Sequence, residues 1–135
     1  MGRSEVILVD THIVVWLAFA PGELSRKAAA AIDEARNSGD GLAISDISLL
    51  ELATLVGKGR IDLEISLESF LREIETRFVV LPISGRACAR MSQLPAGYPK
   101  DPADRIIGAT AWAEGIALIT ADSAIRRSKA VSTIW

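Results

Sequence analysis

The chain has 135 residues, half of them apolar and 24% charged, with 15 Lys and Arg against 17 Asp and Glu. That is the size of one compact domain, residues 1–135, which can bury roughly two-thirds of its unfolded surface without help from disulfides or structural metal. The lone cysteine, Cys88, excludes an internal disulfide and fits a reduced, cytoplasmic setting, while the formal charge of −2 excludes a protein that grips nucleic acid simply by being basic.

Val6 to Val9 is a short apolar run rich in branched residues, as expected of a strand buried on both faces, and it ends at Asp10. The apolar run Ile13 to Ala20 that follows is eight residues long, against the roughly 20 needed to span a bilayer. Ala18-Phe19-Ala20 imitates a cleavage site behind Arg3. Glu5 beside that basic leader, Asp10 and His12 within the apolar stretch and Pro21 after the cut all argue against a signal peptide. Val6, where Ser or Thr is wanted, argues against myristoylation at Gly2. The expectation is therefore a cytoplasmic protein without a membrane partner.

A helical turn through Trp16 leads to the break at Pro21-Gly22, and Ser25 to Ser38 reads as an Ala-rich helix stopped by Gly39. Leu42 to Ile44 is a second strand, and Ser45 or Asp46 caps a helix that runs to about Lys58 and is ended by Gly57 and Gly59. Ser66 caps a further helix, whose Leu67, Phe70, Leu71 and Ile74 share one face. Phe78 to Leu81 is a strand and Gly85 to Gln93 a helix, followed by a loop that contains or borders Pro95, Pro99 and Pro102. Asp101-Pro102 starts another helix, Ala117 to Thr120 is a fourth strand near Asp122, and Val131 to Ile134 a fifth after a short helix. Strands alternating with helices predict a three-layer α/β/α fold around a mostly parallel sheet of four to five strands.

In such sheets ligands bind beyond the carboxyl ends of the strands, and acids gather there. Asp10 follows the first strand and Asp122 the fourth. Glu51 lies in the second turn of the helix after the second strand, with Ile47 and Leu55 as its i−4 and i+4 neighbours, so it faces inward. Asp104 opens the helix that begins at Asp101-Pro102. Each has a plain structural use as well: Asp10 and Asp122 as helix caps, Asp104 at the positive end of its helix, and Glu51 in an ion pair with Lys58 or Arg60. Four such placements at one end of one sheet are much less expected by chance than any one of them. Clustered carboxylates repel unless a cation neutralises them, and oxygen-only ligands suit Mg²⁺, or Mn²⁺, better than Zn²⁺. His12 reads chiefly as a packing or hydrogen-bonding residue, Cys88 as a small buried one, and Trp16, Trp112 and Trp135 as core or interface.

With these residues in hand the sequence resembles a PIN-domain protein, specifically the VapC type of toxin ribonuclease from type II toxin–antitoxin systems. The resemblance rests on Val9-Asp10-Thr11-His12 leading to Trp16, on Ser45-Asp46-Ile47-Ser48-Leu49-Leu50-Glu51 followed by Gly57-Lys58-Gly59-Arg60, on Asp101-Pro102-Ala103-Asp104-Arg105 and on Thr120-Ala121-Asp122. It implies an acidic, metal-binding catalytic site at Asp10, Glu51, Asp104 and Asp122, with Asp101 as a helix cap. Thr120, Thr11 and His12 are its possible supporting residues. Ala103 departs from the bulky aromatic often found there. The implied chemistry is Mg²⁺-dependent endonucleolytic hydrolysis of RNA, restrained by a VapB-type antitoxin, in a toxin that usually dimerises. Ile13 to Phe19 and Leu49 to Val56 are candidate interfaces, with the core as their competing use. Two alternatives stand beside this: a PIN-like binding module without catalysis, and a haloacid-dehalogenase-type phosphatase, which wants an Asp where His12 stands. Setting the four acids aside leaves 13 against 15 bases, so the net negative charge partly reflects the site itself, and RNA binding is expected to be metal-assisted and modest.

Overall fold

The computed structural model describes residues 6–38 and 40–135. Gly39, the expected helix stop, and the leader residues Gly2, Arg3 and Glu5 lie outside them. The elements alternate as the sequence predicts: β1 (Ile7–Val9), α1 (Thr11–Phe19), a single 3-10 turn (Pro21–Glu23), α2 (Arg26–Asn37), β2 (Leu42–Ser45), α3 (Asp46–Gly57), α4 (Leu67–Arg77), β3 (Val79–Leu81), α5 (Gly85–Met91), α6 (Pro102–Glu114), β4 (Leu118–Ile119), α7 (Ser123–Ser128) and β5 (Thr133–Ile134).

The five strands form one all-parallel sheet in the order β3-β2-β1-β4-β5. Leu8 of β1 stands opposite Ala43 of β2 on one side and Leu118 of β4 on the other. Because strand side chains alternate, these three point to one face and join Leu94, Tyr98, Ile107 and Ile125 there. Their neighbours Val9, Ile44 and Ile119 point to the opposite face and pack with Ile13, Ile32, Leu52, Phe70 and Ile74. Two apolar layers on one sheet explain why the strands read as continuous apolar runs, and each fully buried Leu, Ile or Val stabilises the fold by about 1.5–3 kcal/mol relative to exposure.

Side-chain caps set the helix starts. Ser25, Ser45, Ser66, Ser84, Asp101 and Asp122 each accept a first-turn backbone N–H. Of the two caps considered for α3, Ser45 is the one used. Gly57 is the last residue of α3 rather than its stop; the left-handed residue is Gly59, at φ +73°.

Two expectations need correction or narrowing. Cys88 is exposed, not buried: on α5 it is Ala87 that faces inward, and the next residue is turned about 100° around the helix. The apolar stretches of α1 and α3 serve mostly the core through Ile13, Val14 and Leu52, leaving Phe19 and Leu50 on the surface. Trp16 and Trp135 pack partly buried against one apolar layer and Trp112 against the other.

Candidate active site

From β1 the chain builds outward to β2 and β3, then returns to place β4 on the other side of β1. That reversal makes a switch point between β1 and β4, where open parallel sheets leave a crevice beyond the strand ends. Asp10 leaves β1 and Asp122 follows β4, so these two acids flank it.

Asp10 is almost fully buried, at 3% exposure. Its Oδ1 accepts the Thr11 backbone N–H at 2.9 Å, and its Oδ2 accepts the Thr120 hydroxyl at 2.8 Å. Thr120 Oγ1 in turn accepts the Asp122 backbone N–H at 3.1 Å, so one buried hydroxyl ties the two strand-end acids together. Asp122 Oδ1 caps α7 through the Ile125 N–H at 3.0 Å. Asp101 caps α6 by accepting the Asp104 N–H at 3.1 Å. The capping uses therefore hold for Asp10 and Asp122, and they leave lone pairs free: a carboxylate has two oxygens and about four lone-pair positions, and a cap occupies one of them.

Glu51 arrives from the second turn of α3. Its Oε1 accepts the Thr11 hydroxyl at 2.5 Å, and no ion pair with Lys58 or Arg60 is found among the described residues. Asp10, Glu51 and Asp104 line one cleft of about 260 Å³ with Thr11, His12, Val15, Trp16 and Leu55. Asp122 stands outside that lining, yet its charge acts on Asp104.

His12 Nε2 accepts the Ala121 backbone N–H at 3.0 Å. In the neutral ring this leaves the proton on Nδ1, which lies 3.6 Å from Asp10 Oδ2. Trp16 meets the imidazole edge-on at 5.1 Å and is itself backed by Trp135 at 5.8 Å. His12 thus spans from α1 to the segment after β4, the hydrogen-bonding role expected of it.

The electrostatics follow from this crowding. Partial burial, reinforced by Asp10, Asp101, Asp122 and Glu51, pushes the Asp104 carboxyl up to about 7. Glu51 is raised by burial and by Asp10 and Asp101, against the lowering effect of the Thr11 hydrogen bond. Among the described residues no three Asp, Glu, His or Cys side chains lie close enough to grip one ion together; Asp10, Glu51 and Asp104 line one cleft without forming a closed ligand cage. Carboxylate oxygens are donors of the kind that suit a hard divalent cation, whose charge would offset the mutual raising of Asp104 and Glu51.

Two residues that the sequence reading did not single out matter here. Tyr98, a residue of the prolyl loop buried to 1% exposure, donates its hydroxyl to the Asp104 carbonyl at 3.1 Å. It lies close enough to Asp10, Asp104 and Asp122 for their charges to raise its phenol, already raised by burial. Ser48, wholly buried, meets the Thr11 hydroxyl at 2.8 Å. A lone Tyr in a loop carries no periodic signal, and Ser48 reads as an ordinary helix residue, so neither was visible locally. Arg105 pins the loop that carries Tyr98 by donating to the carbonyls of Met91 and Pro99.

The PIN domain family model matches residues 7–130. Ribonuclease VapC22 of Mycobacterium tuberculosis is 37% identical over 131 residues, spanning 96% of this chain and 98% of its own. Among solved structures, VapBC2 from Rickettsia felis, bound to a DNA fragment from its promoter, is similar with TM-score 0.71 and 20% identity, covering 95% of this chain and 96% of its own. A toxin–antitoxin complex from Klebsiella pneumoniae is similar with TM-score 0.64 and 25% identity, covering 94% and 96%.

Proposed function

Because this chain belongs to the PIN domain family, we propose that it is a metal-dependent endoribonuclease and the toxin of a type II toxin–antitoxin pair. The observation that carries this reading is the cleft at the carboxyl end of the sheet, lined by Asp10, Glu51 and Asp104 with no Lys or Arg among its lining residues. The 37% identity to a ribonuclease along nearly the whole of both chains supports the substrate class.

VapC ribonucleases are metal-dependent as a class, and the oxygen-only donors here favour Mg²⁺, with Mn²⁺ as a substitute. Asp10 and Asp104 would hold the ion, with Asp122 as a direct or water-mediated ligand and Glu51 as a ligand or water-orienting base. A bound Mg²⁺ supplies charge neutralisation at the phosphoryl group and a more acidic water. The protein's part is to position. Thr120 and the Thr11 N–H fix both oxygens of Asp10, the Thr11 hydroxyl fixes Glu51, and the α6 cap with Tyr98 fixes the backbone of Asp104. Hydrolysis then breaks the phosphodiester at the 3′ oxygen, leaving a 5′-phosphate and a 3′-hydroxyl.

As partners we assign a VapB-type antitoxin, on the strength of the toxin–antitoxin complexes among the similar structures, and a second copy of the chain, with exposed Phe19 and Leu50 as the apolar points available for contact. No helix among the described residues is long and apolar enough to cross a membrane, and the cytoplasm is the proposed place of action. The test is incubation of the purified protein with structured RNAs in Mg²⁺, Mn²⁺ or EDTA, beside a phosphomonoester. RNA cleavage in the metal-containing reactions alone is expected. Hydrolysis of the phosphomonoester without RNA cleavage would point to the phosphatase alternative, and binding without cleavage to a non-catalytic module.

A further inference from the structure

Asp10 and Glu51 reach the cleft from different elements, and one residue is bonded to both. The Thr11 backbone N–H donates to Asp10 Oδ1, and its hydroxyl donates to Glu51 Oε1. A hydroxyl has one proton and two lone pairs. With that proton committed to Glu51, the 2.8 Å contact between Thr11 Oγ1 and Ser48 Oγ is satisfied only with Ser48 as the donor. The chain of hydroxyls therefore has one direction, from Ser48 to Thr11 to Glu51.

We propose that Ser48 is a positioning residue for the acid site. By donating to Thr11 it holds the Thr11 hydroxyl in the rotamer that serves Glu51, and so sets where the Glu51 carboxylate stands relative to Asp10. Ser48 lies three residues before Glu51 on the same helix, and its full burial keeps water from replacing it. It is not needed as a cap, since Ser45 already accepts the Ile47 N–H. A packing role would need only its volume, most of which Ala retains. The proposal rests on the reading of Asp10 and Glu51 as holders of a divalent cation, and it concerns a residue that touches neither substrate nor ion.

The experiment is calorimetric titration of the metal-free full chain with Mn²⁺ alone, without RNA. The wild type is expected to bind and Asp10→Asn to fail. Ser48→Ala should weaken Mn²⁺ binding about tenfold, the usual size of a loss behind the ligands, while its metal-free melting temperature stays within about 4 °C of the wild type. Thr11→Val should weaken binding at least as much, Thr11→Ser should retain wild-type affinity, and adding Ser48→Ala to Thr11→Val should weaken it no further, because the chain is already cut. Wild-type affinity in Ser48→Ala, or penalties of the two substitutions that simply add, would overturn this proposal alone. A wild-type protein that binds no Mn²⁺ would overturn the metal reading and this proposal with it.

Discussion

Substituting Gly108 tests whether Tyr98 braces the site. A Cβ placed on Gly108 would sit 1.9 Å from the Tyr98 hydroxyl oxygen, 2.5 Å from Cζ and 3.2 Å from Cε2. Carbon–carbon contacts settle at about 3.5–4.0 Å, so the ring would have to withdraw by more than about 1 Å. It has little room to do so, being packed at 1% exposure among Leu94, Ile107 and Leu118. Overpacking of this kind costs about 1–3 kcal/mol, and losing the bond to the Asp104 carbonyl about 1 kcal/mol more. Replacing Gly by Ala inside a helix returns about 1 kcal/mol through propensity. The net expectation for Gly108→Ala is a loss of about 1–3 kcal/mol. At roughly 3.5 °C per kcal/mol for a chain of this length, the melting temperature should fall by about 4–10 °C. Thermal denaturation followed by circular dichroism reads this directly. The sign decides: a Gly108→Ala protein as stable as the wild type, or more so, would mean that propensity wins and that Tyr98 is free to move. RNA cleavage measured well below the transition should also fall, because the displaced hydroxyl is bonded to the backbone of Asp104.

Mg²⁺ should raise the melting temperature of the wild type, and Asp10→Asn should abolish both that rise and metal-dependent RNA cleavage. Its metal-free fold should be intact or firmer through relieved repulsion; outright unfolding would show the cap to be the residue's main role. For pH, Asp104 titrates at about 7 in the folded chain, against an ordinary value of 3.8. Between those values the metal-free folded state holds a proton that the unfolded state has released. Stability should therefore fall as pH rises from about 4 to 7, with Glu51 acting in the same sense. Denaturant titrations of wild type and Asp104→Asn across that window check it, since the variant should lose most of the downward slope. Cys88 is exposed, so a thiol reagent should modify the native protein at the rate of an open thiol; labelling only in denaturant would refute the placement of α5.

Much of this fold was legible because its signals are local. Val6 to Val9 and Ala117 to Thr120 are recognisable as strands from composition alone, and Ser25, Ser66 and Asp101 announce helix starts. The strand order was not legible, since it depends on pairings such as that of Leu8 with Leu118, which no short window contains. The acids could be located because chemistry gathers at strand ends, but their capping and site uses had seemed to compete. Asp10 and Asp122 are both caps in the structure, and a cap leaves a carboxylate with lone pairs to spare, so the proposed site use does not compete with it. Thr120 was found through its resemblance to a site hydroxyl, and its bond to Asp10 gives that a physical content. Ser48 and Tyr98 escaped because each acts through a partner on another element. Cys88 was misplaced because apolar neighbours in sequence are not neighbours in space on a short amphipathic helix.

The position of β1 in the middle of the sheet has a consequence for the life of the chain. Asp10 directly follows β1, yet the hydroxyl that fixes its Oδ2 lies 110 positions away, just after β4. As the chain is made, β1, β2 and β3 can pair in order, giving half a sheet with Asp10 and Glu51 in place. That half lacks α6, β4 and the switch-point crevice itself. A chain lacking everything from α6 onward would lack Asp104, Thr120 and Asp122, so it is the long-range pairing of β4 with β1 that brings the Thr120 hydroxyl to Asp10.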